Sequence, residues 1–384
     1  MFNAKCLMVN VYICNSTFKI KHSTFIMRLY LFLLVLFISF QVHLQSNLNW
    51  GIEVKSKGGF IAAKRIEVAQ IPVSHALAGE VSFVIHTNGK KAWHKAYNYP
   101  TIGVTGFVAS VGNREVLGNY FGSYGFVEFP FIKTKRYQFT GKIGSGLAYT
   151  AKVYDPIKNP KNSVVGAHVN ALICFGLQNR FVFNRHQIVL GIDLTHCSNG
   201  SYKVPNIGIN MPYLSLGYAY RMKTTELETE NKVTLPFRKV LYGVTGVFSS
   251  DDIYPTGHKP SAVYALSAFA RYFFKAKVGA ELSLDFVSKQ VLMRYKPELP
   301  KTQLDIIQVG MYAGYILPLD HFHFVVGMGI YLRDKYVPNS LFYHRIGMRY
   351  YFNNGIHLNC VLLSNWAKAN YTEWGIGYTF NYKK

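Results

Sequence analysis

The chain has 384 residues, of which 49% are hydrophobic and 16% are charged, and its formal net charge is +23. This basic excess predicts an anionic partner, such as nucleic acid, a phosphorylated glycolipid or an acidic bilayer. The five cysteines follow no metal-binding or disulfide spacing, so the sequence argues against a zinc site and against a disulfide framework.

Residues 1–45 are predicted to be a leader with a signal peptide. The uncharged run 29–40 follows Arg28 and has about the length of a signal-peptide core, too short for a comfortable transmembrane helix. Met27 directly precedes the basic residue, which favours a start of translation there; a longer leader with an internal signal is the alternative. Export removes nucleic acid from the predicted partners.

After the leader, short segments alternate between apolar and polar residues, which is the period of β-strands. The clearest examples are 212–221, 278–288 and 371–382. A soluble β-sandwich turns its apolar faces inward, whereas a membrane barrel has an apolar, aromatic exterior and a polar lumen. The aromatic faces therefore predict a barrel, with Trp374, Tyr378 and Phe380 facing lipid.

The connections between these segments favour the same fold. Tight turns are predicted at 318–320 and 353–355, as in outer-membrane barrels, which join their strands by short turns at one end and long loops at the other. Long polar loops are predicted at 155–163, 223–237, 250–260 and 289–303. At about 10 residues per strand plus connections, the chain predicts roughly 12 to 14 strands. Residues 46–384 are therefore expected to form a single all-β domain, an antiparallel transmembrane β-barrel of the cell outer membrane.

One alternating segment ends in a pair of residues suited to nucleophilic chemistry. His196 and Ser198 are two residues apart, so on a strand their side chains share a face. Neutral imidazole can accept the hydroxyl proton as the oxygen attacks a carbonyl. Ile192 and Leu194 lie on the same face, which places the pair on the apolar side of its strand and suits a lipid substrate.

The residues around this pair form a longer motif. It reads His196-x-Ser198-Asn199-Gly200, followed by Pro205-Asn206-x-Gly208. The motif resembles the outer-membrane lipid A 3-O-deacylases and related acyloxyacyl hydrolase-like proteins of Gram-negative bacteria. The close likeness covers 191–220, and a looser one extends upstream over 112–168. Small members of the family have eight strands, so 221–384 is expected to add strands with no counterpart in the family.

The resemblance implies a role for each matched residue. Ser198 would be the nucleophile that attacks an ester carbonyl, and His196 the general base that later protonates the leaving alcohol. Asn199 and Asn206 match positions linked to the oxyanion hole, where each donor is typically worth about 10²–10³ in rate.

One position departs from the family pattern. The acid that orients the histidine in the family corresponds here to Asn210. An amide can accept a hydrogen bond from imidazole, but it does not stabilise imidazolium as a carboxylate does. Three outcomes stay open: a weaker His–Ser dyad, an acid supplied by a neighbouring strand, for which Glu128 is the candidate, or loss of activity.

Other reactive residues favour structural interpretations. Cys197 and Asp193 lie on the opposite strand face from His196 and are predicted to pack in the lumen. His321 and His323, beside Asp320, have a metal-like spacing but no third ligand nearby in sequence, so a pair flanking a turn is favoured. No metal and no cofactor are predicted.

The predicted function is that of a serine carboxylic-ester hydrolase that removes an ester-linked acyl chain from lipid A. Its partners would be lipopolysaccharide and outer-membrane lipids. The alternative is a non-catalytic outer-membrane barrel, either a pore or a degenerate relative of the deacylases. A soluble β-sandwich that binds an acidic glycan is a third hypothesis, which leaves the outward aromatic residues unexplained. Detergent dependence tests the third hypothesis, and loss of a lipid A acyl chain separates the first two.

Overall fold

The computed structural model describes residues 49–63, 65–222, 238–295, 297–336, 340–366 and 368–382. Within these residues the backbone forms sixteen antiparallel strands, which pair into two closed barrels of eight strands each. The predicted leader at 1–45 and the predicted loop at 223–237 lie outside the described residues.

The first barrel pairs each strand with the next along the chain and closes by pairing the first strand with the eighth, where Gly51 lies opposite Arg221. Its strands are β1 (Trp50–Gly59), β2 (Ala76–His86), β3 (Thr101–Val111), β4 (Asn119–Lys133), β5 (Tyr137–Thr150), β6 (Val169–Phe183), β7 (His186–Ser198) and β8 (Ile209–Arg221).

The second barrel repeats this topology and closes by pairing its last strand with its first, where Trp374 lies opposite Phe248. Its strands are β9 (Val240–Asp251), β10 (Ser261–Lys275), β11 (Val278–Lys289), β12 (Ile307–Leu319), β13 (Phe322–Arg333), β14 (Phe342–Tyr351), β15 (Ile356–Asn365) and β16 (Lys368–Phe380).

Among the described residues, helical structure is confined to short segments between strands. These are α1 (Ile66–Ala69), α2 (Ala92–Ala96) and a 3₁₀ turn at Gln290–Met293. None of the helices in the described part of the chain has the length and apolar character of a membrane-spanning helix. The sixteen antiparallel strands and their two closed sheets confirm the predicted all-β, antiparallel barrel class.

The predicted number of strands is wrong, and so is the prediction of one barrel. Because β8 pairs with β1, the first sheet is closed before β9 begins. Eight strands enclose an interior just wide enough for side chains to fill. The segment between β8 and β9, expected to be a loop within one barrel, therefore joins two barrels.

The alternation of faces is as predicted. Along β11, Glu281 points into the lumen and is 2% exposed, whereas its neighbour Leu282 is 62% exposed on the outer face. Along β16, the side chains of Trp374, Tyr378 and Phe380 all point outward and are exposed. Each barrel thus has an apolar exterior and an interior that combines charged and polar side chains with buried apolar clusters.

Buried ion pairs fill both lumens. In the first barrel, Arg180 lies 2.6 Å from Glu53 and 2.5 Å from Glu128. In the second barrel, Arg345 lies 2.6 Å from Asp285 and 2.7 Å from Glu373. Removing one partner of such a pair typically costs about 3–5 kcal/mol. Lumens packed with paired side chains argue against the pore hypothesis.

Candidate active site

The predicted site lies where β7 ends and the loop 199–208 returns the chain to β8. Ile192 and Leu194 point outward and are exposed, whereas Cys197 points inward and is fully buried. His196 shares the outer face and is half-buried. The strand parity inferred from the sequence is therefore correct, and the Cys197 thiol lies on the lumen side.

The structure brings three of the predicted residues into one hydrogen-bonded chain. His196 Nε2 lies 2.9 Å from Ser198 Oγ, and His196 Nδ1 lies 2.8 Å from Asn210 Oδ1. Asn210 reaches the ring because it lies directly opposite His196 in the β7–β8 pairing. Since an amide oxygen only accepts hydrogen bonds, Nδ1 carries the hydrogen and donates a hydrogen bond to Asn210 Oδ1. Nε2 is then unprotonated and can accept the proton of the Ser198 hydroxyl.

The loop that follows is organised by two asparagines. The backbone N–H of Asn199 donates to Asn206 Oδ1 at 2.9 Å, and Asn199 Nδ2 donates to the carbonyl of Lys203 at 2.8 Å. Within the described residues, the buried Nδ2 of Asn206 has no hydrogen-bond partner. A buried amide donor with free hydrogens is the kind of group that an oxyanion requires.

Gly208 packs directly against the His–Ser pair. Its φ is +74°, a left-handed conformation that glycine adopts without strain. A Cβ at this position would lie 2.9 Å from His196 Cε1 and 3.1 Å from Ser198 Cβ. The close approach of the loop to the two side chains therefore depends on glycine.

The connection between β5 and β6 supports the same loop from the first barrel. Val165 forms an isolated β-bridge with Asn206, and the Gly208 N–H donates to the Val164 carbonyl at 3.3 Å. Asn162 is fully buried and donates to the carbonyl of Val116 at 3.1 Å. The sequence alone did not connect this segment to the site, although the looser upstream likeness ran through it.

Glu128 does not replace the missing acid, contrary to the alternative that the sequence left open. Its carboxylate lies in the lumen and accepts hydrogen bonds from Arg180 Nε at 2.5 Å and Arg180 Nη2 at 2.6 Å. His196 lies on the outer face, so the barrel wall separates the two residues. Asp193 also points into the lumen, where its carboxylate lies 3.4 Å from Lys57 Nζ.

The His321–His323 segment does not form a shared site. His321 Nδ1 lies 2.7 Å from the Tyr351 carbonyl oxygen, and Asp320 forms an ion pair with Lys91 of the first barrel. His323 is fully buried, with its ring centroid 4.5 Å from that of Tyr351. No group of three potential metal ligands occurs among the residues that the structure describes.

An apolar groove of about 780 Å³ crosses the outer face of the first barrel beside the site. Its lining includes Phe60, Phe175, Ile192, Leu194, Pro212 and Leu214. Leu194 and Pro212 lie opposite each other, two residues along from the His196–Asn210 pair. Two residues span roughly 7 Å along a strand, so the groove lies about that far from the His196–Asn210 pair, and neither residue belongs to its lining.

Together, the fold and site define an antiparallel β-barrel that carries a serine–histidine pair, of the kind used by serine hydrolases, on its outer face. Residues 77–219 match the family model described as Lipid A 3-O-deacylase (PagL). Residues 239–382 match the model described as Acyloxyacyl hydrolase, C-terminal domain. The chain belongs to this lipid A 3-O-deacylase and acyloxyacyl hydrolase-like family, which confirms the resemblance found in the motif.

The second match corrects one expectation from the sequence. Residues 221–384 were expected to add strands with no counterpart in the family, but most of them match a family model of their own. Each of the two models covers most of one barrel, so the division of the chain into two barrels coincides with the division between the matches.

Two further comparisons add little. The search of curated proteins found no match. Among solved structures, a triple mutant of the Rhodopseudomonas blastica porin is 8% identical, with 87% of this chain and 100% of that chain covered and a TM-score of 0.17. Another mutant of the same porin has the same identity and coverage and a TM-score of 0.18. TM-scores this low carry no argument about fold or function.

Proposed function

We propose that this protein is an outer-membrane esterase that removes an ester-linked acyl chain from lipid A. The observation that carries the proposal is the hydrogen-bonded chain Ser198–His196–Asn210 on the outer, apolar face of a barrel. A hydrolase that acts on a lipid needs its nucleophile close to the surface that meets lipid. The position of half-buried His196 on the outer face, with Ser198 buried beside it, supports the proposal.

The geometry supports a two-step mechanism. Ser198 Oγ attacks the ester carbonyl while its proton passes to His196 Nε2. Asn210 holds the Nδ1–H and so keeps the ring in the tautomer that can accept this proton. The tetrahedral intermediate collapses as the bond to the leaving alcohol breaks and His196 protonates its oxygen, which leaves an acyl-serine. Water, deprotonated by His196, then attacks the acyl-serine carbonyl; Ser198 Oγ leaves, takes the proton back from His196, and the fatty acid is released.

Asn206 is the better candidate for stabilising the oxyanion. Its Nδ2 has no partner among the described residues, whereas Asn199 already uses its backbone N–H and its side-chain amide to hold Asn206 and Lys203. We therefore assign Asn206 to the developing negative charge and Asn199 to the positioning of that group.

The surface around the pair suits lipid A as a substrate in the cell outer membrane. The apolar groove, which comes within about 7 Å of the His196–Asn210 pair, could hold an acyl chain, and the exposed apolar side chains on the outer faces of both barrels support a location in the membrane. The basic excess of the chain favours the phosphates of lipid A. No step of the proposed reaction requires a cofactor.

Mass spectrometry of lipid A from cells that express the protein tests this function. We expect the lipid A mass to fall by one acyl chain relative to cells without the protein, with the matching free fatty acid released. An unchanged acylation pattern, despite correctly inserted protein, would instead favour the non-catalytic barrel.

Replacing Asn210 with glutamate is expected to give a rate at least equal to that of the parent. A carboxylate would accept the same Nδ1–H and would also stabilise the imidazolium that forms during the reaction. Asn210→Leu is the matched control and should lower kcat about tenfold or more, because the ring loses its orienting partner. A large drop in the glutamate variant would show that the pocket is built for the amide.

Gly208→Ala is expected to lower kcat at least tenfold, since a Cβ would press on His196 and Ser198 and the left-handed φ would be strained. Gly79→Ala on the outer face of β2 is the control, because its Cβ would meet only Val108 at an ordinary 3.6 Å. Steady-state kinetics on purified lipid A in detergent micelles measures both. Equal rates for the two variants would contradict the close packing of the loop on the pair.

A further inference from the structure

The loop that carries the oxyanion asparagine is held from the second barrel as well as the first. Asp252 follows β9 directly and is 3% exposed. Its backbone N–H donates to the Ser201 carbonyl at 3.0 Å, and its Oδ2 accepts the Val204 N–H at 3.2 Å. One residue of the second barrel thus makes two hydrogen bonds to the loop 199–208.

The second barrel approaches the same loop at another point. Gly200 has φ +64°, and a Cβ there would lie 2.3 Å from Thr372 Oγ1 of β16. The backbone at this position therefore packs directly on the second barrel. The loop is enclosed between the two barrels, and substitutions on the second barrel can move it.

Groups of the second barrel hold the Asp252 carboxylate in place. Its Oδ1 accepts the Ile253 N–H at 3.0 Å and lies 3.8 Å from Arg294 Nη2. The other oxygen is thereby directed at Val204. A carboxylate oriented in this way is a fixed acceptor, and a hydrogen bond to a charged group is stronger than one between neutral groups.

The contact between Asp252 and Val204 lies only two residues along the chain from Asn206, the proposed oxyanion donor. Val204 lies between Lys203, whose carbonyl accepts from Asn199, and Asn206, whose side chain accepts from the Asn199 backbone. Loss of the hydrogen bond from the Val204 N–H to Asp252 would loosen the loop segment that positions Asn206 Nδ2. Misplacing a catalytic group by about 1 Å can cost about 10²-fold in rate.

We propose that the second barrel sets the geometry of the first barrel's oxyanion loop through Asp252, which makes Asp252 a positioning residue for the reaction. This inference rests on the proposed function. Hydrolysis by this chain then depends on both barrels, although every residue that touches the substrate belongs to the first. Asp252 contacts neither the groove nor Ser198, so its loss should act on kcat rather than on KM.

The test compares Asp252→Ala with Asp252→Asn in the full-length, detergent-purified protein, using lipid A in mixed micelles. We expect Asp252→Ala to lower kcat about 10- to 100-fold, part of what an oxyanion donor is worth, with KM within about twofold. Asp252→Asn keeps an oxygen that can accept the Val204 N–H and should recover most of the rate. Asp320→Asn is the control, because it removes the charge that pairs with Lys91 between the barrels, far from the loop, and should leave kcat unchanged.

Arg294→Ala is a second variant in case Asp252→Ala does not fold. Its side chain is 34% exposed, so its loss should spare folding, loosen Asp252 and lower kcat about threefold. Wild-type kcat in Asp252→Ala, or in Arg294→Ala if the first does not fold, would overturn the inference. An equal fall in Asp320→Asn would overturn it too. If the wild-type protein removed no acyl chain from lipid A, the proposed function itself would fail, and the inference with it.

Discussion

Replacing Ser198 with alanine is expected to lower the rate of lipid A deacylation by about 10⁴-fold or more, the scale on which serine hydrolases respond to loss of the nucleophile. The hydroxyl at 2.9 Å from His196 Nε2 is the proposed nucleophile, and alanine offers nothing to attack the ester. The readout is the acylation pattern of lipid A in cells, together with kcat in micelles for the purified variant.

Cys197→Ala is the matched control for this prediction. Cys197 precedes Ser198 in the chain but is fully buried on the lumen side. Its thiol cannot reach an ester outside the barrel, so folded Cys197→Ala protein should keep its activity. Activity that survived in Ser198→Ala and disappeared in Cys197→Ala would reverse the assignment of the nucleophile.

Replacing His196 with alanine is expected to cause a loss similar to that of Ser198→Ala, because the hydroxyl is a poor nucleophile without a base. Residues that act as a unit have non-additive effects. The double variant of His196 and Ser198 should therefore be no slower than either single variant. Kinetics of the three proteins under one set of conditions measures this.

His186→Ala serves as the control for the histidine. His186 begins β7, at the opposite end from the site, where its Nδ1 lies 2.6 Å from the Tyr218 hydroxyl. Its loss should leave kcat within about twofold, as expected for a surface substitution away from the chemistry. A double variant of His196 and Ser198 whose losses multiplied would mean that the two side chains do not cooperate.

The structure excludes one of the two other hypotheses, the soluble β-sandwich, but not the other, a degenerate and inactive relative of the deacylases. A soluble sandwich is ruled out as the fold, because the sheets close on themselves and their aromatic side chains point outward. A degenerate, inactive relative remains the competitor, since Asn210 stands where the family has an acid. The geometry favours activity, because the amide orients the ring even though it carries no charge.

Periodicity was enough to predict the outer and inner faces of the strands with clear alternation. Because the period of two follows from strand geometry alone, the outward Trp374 and the shared face of His196 and Ser198 could be predicted from the sequence. The family resemblance, and not strand geometry, led to Asn210, and the structure then placed Asn210 opposite His196 on the neighbouring strand.

How distant segments pair could not be predicted from the sequence, because it depends on contacts between residues far apart in the chain. Alternation says that a strand has two faces but not where a sheet closes, so the number of strands did not reveal that β8 returns to β1. Glu128 could not be excluded as a partner of His196 until the barrel wall was seen to separate them. No sequence pattern predicted the role proposed for Asp252, because that role depends on a contact between two barrels whose residues lie far apart in the chain.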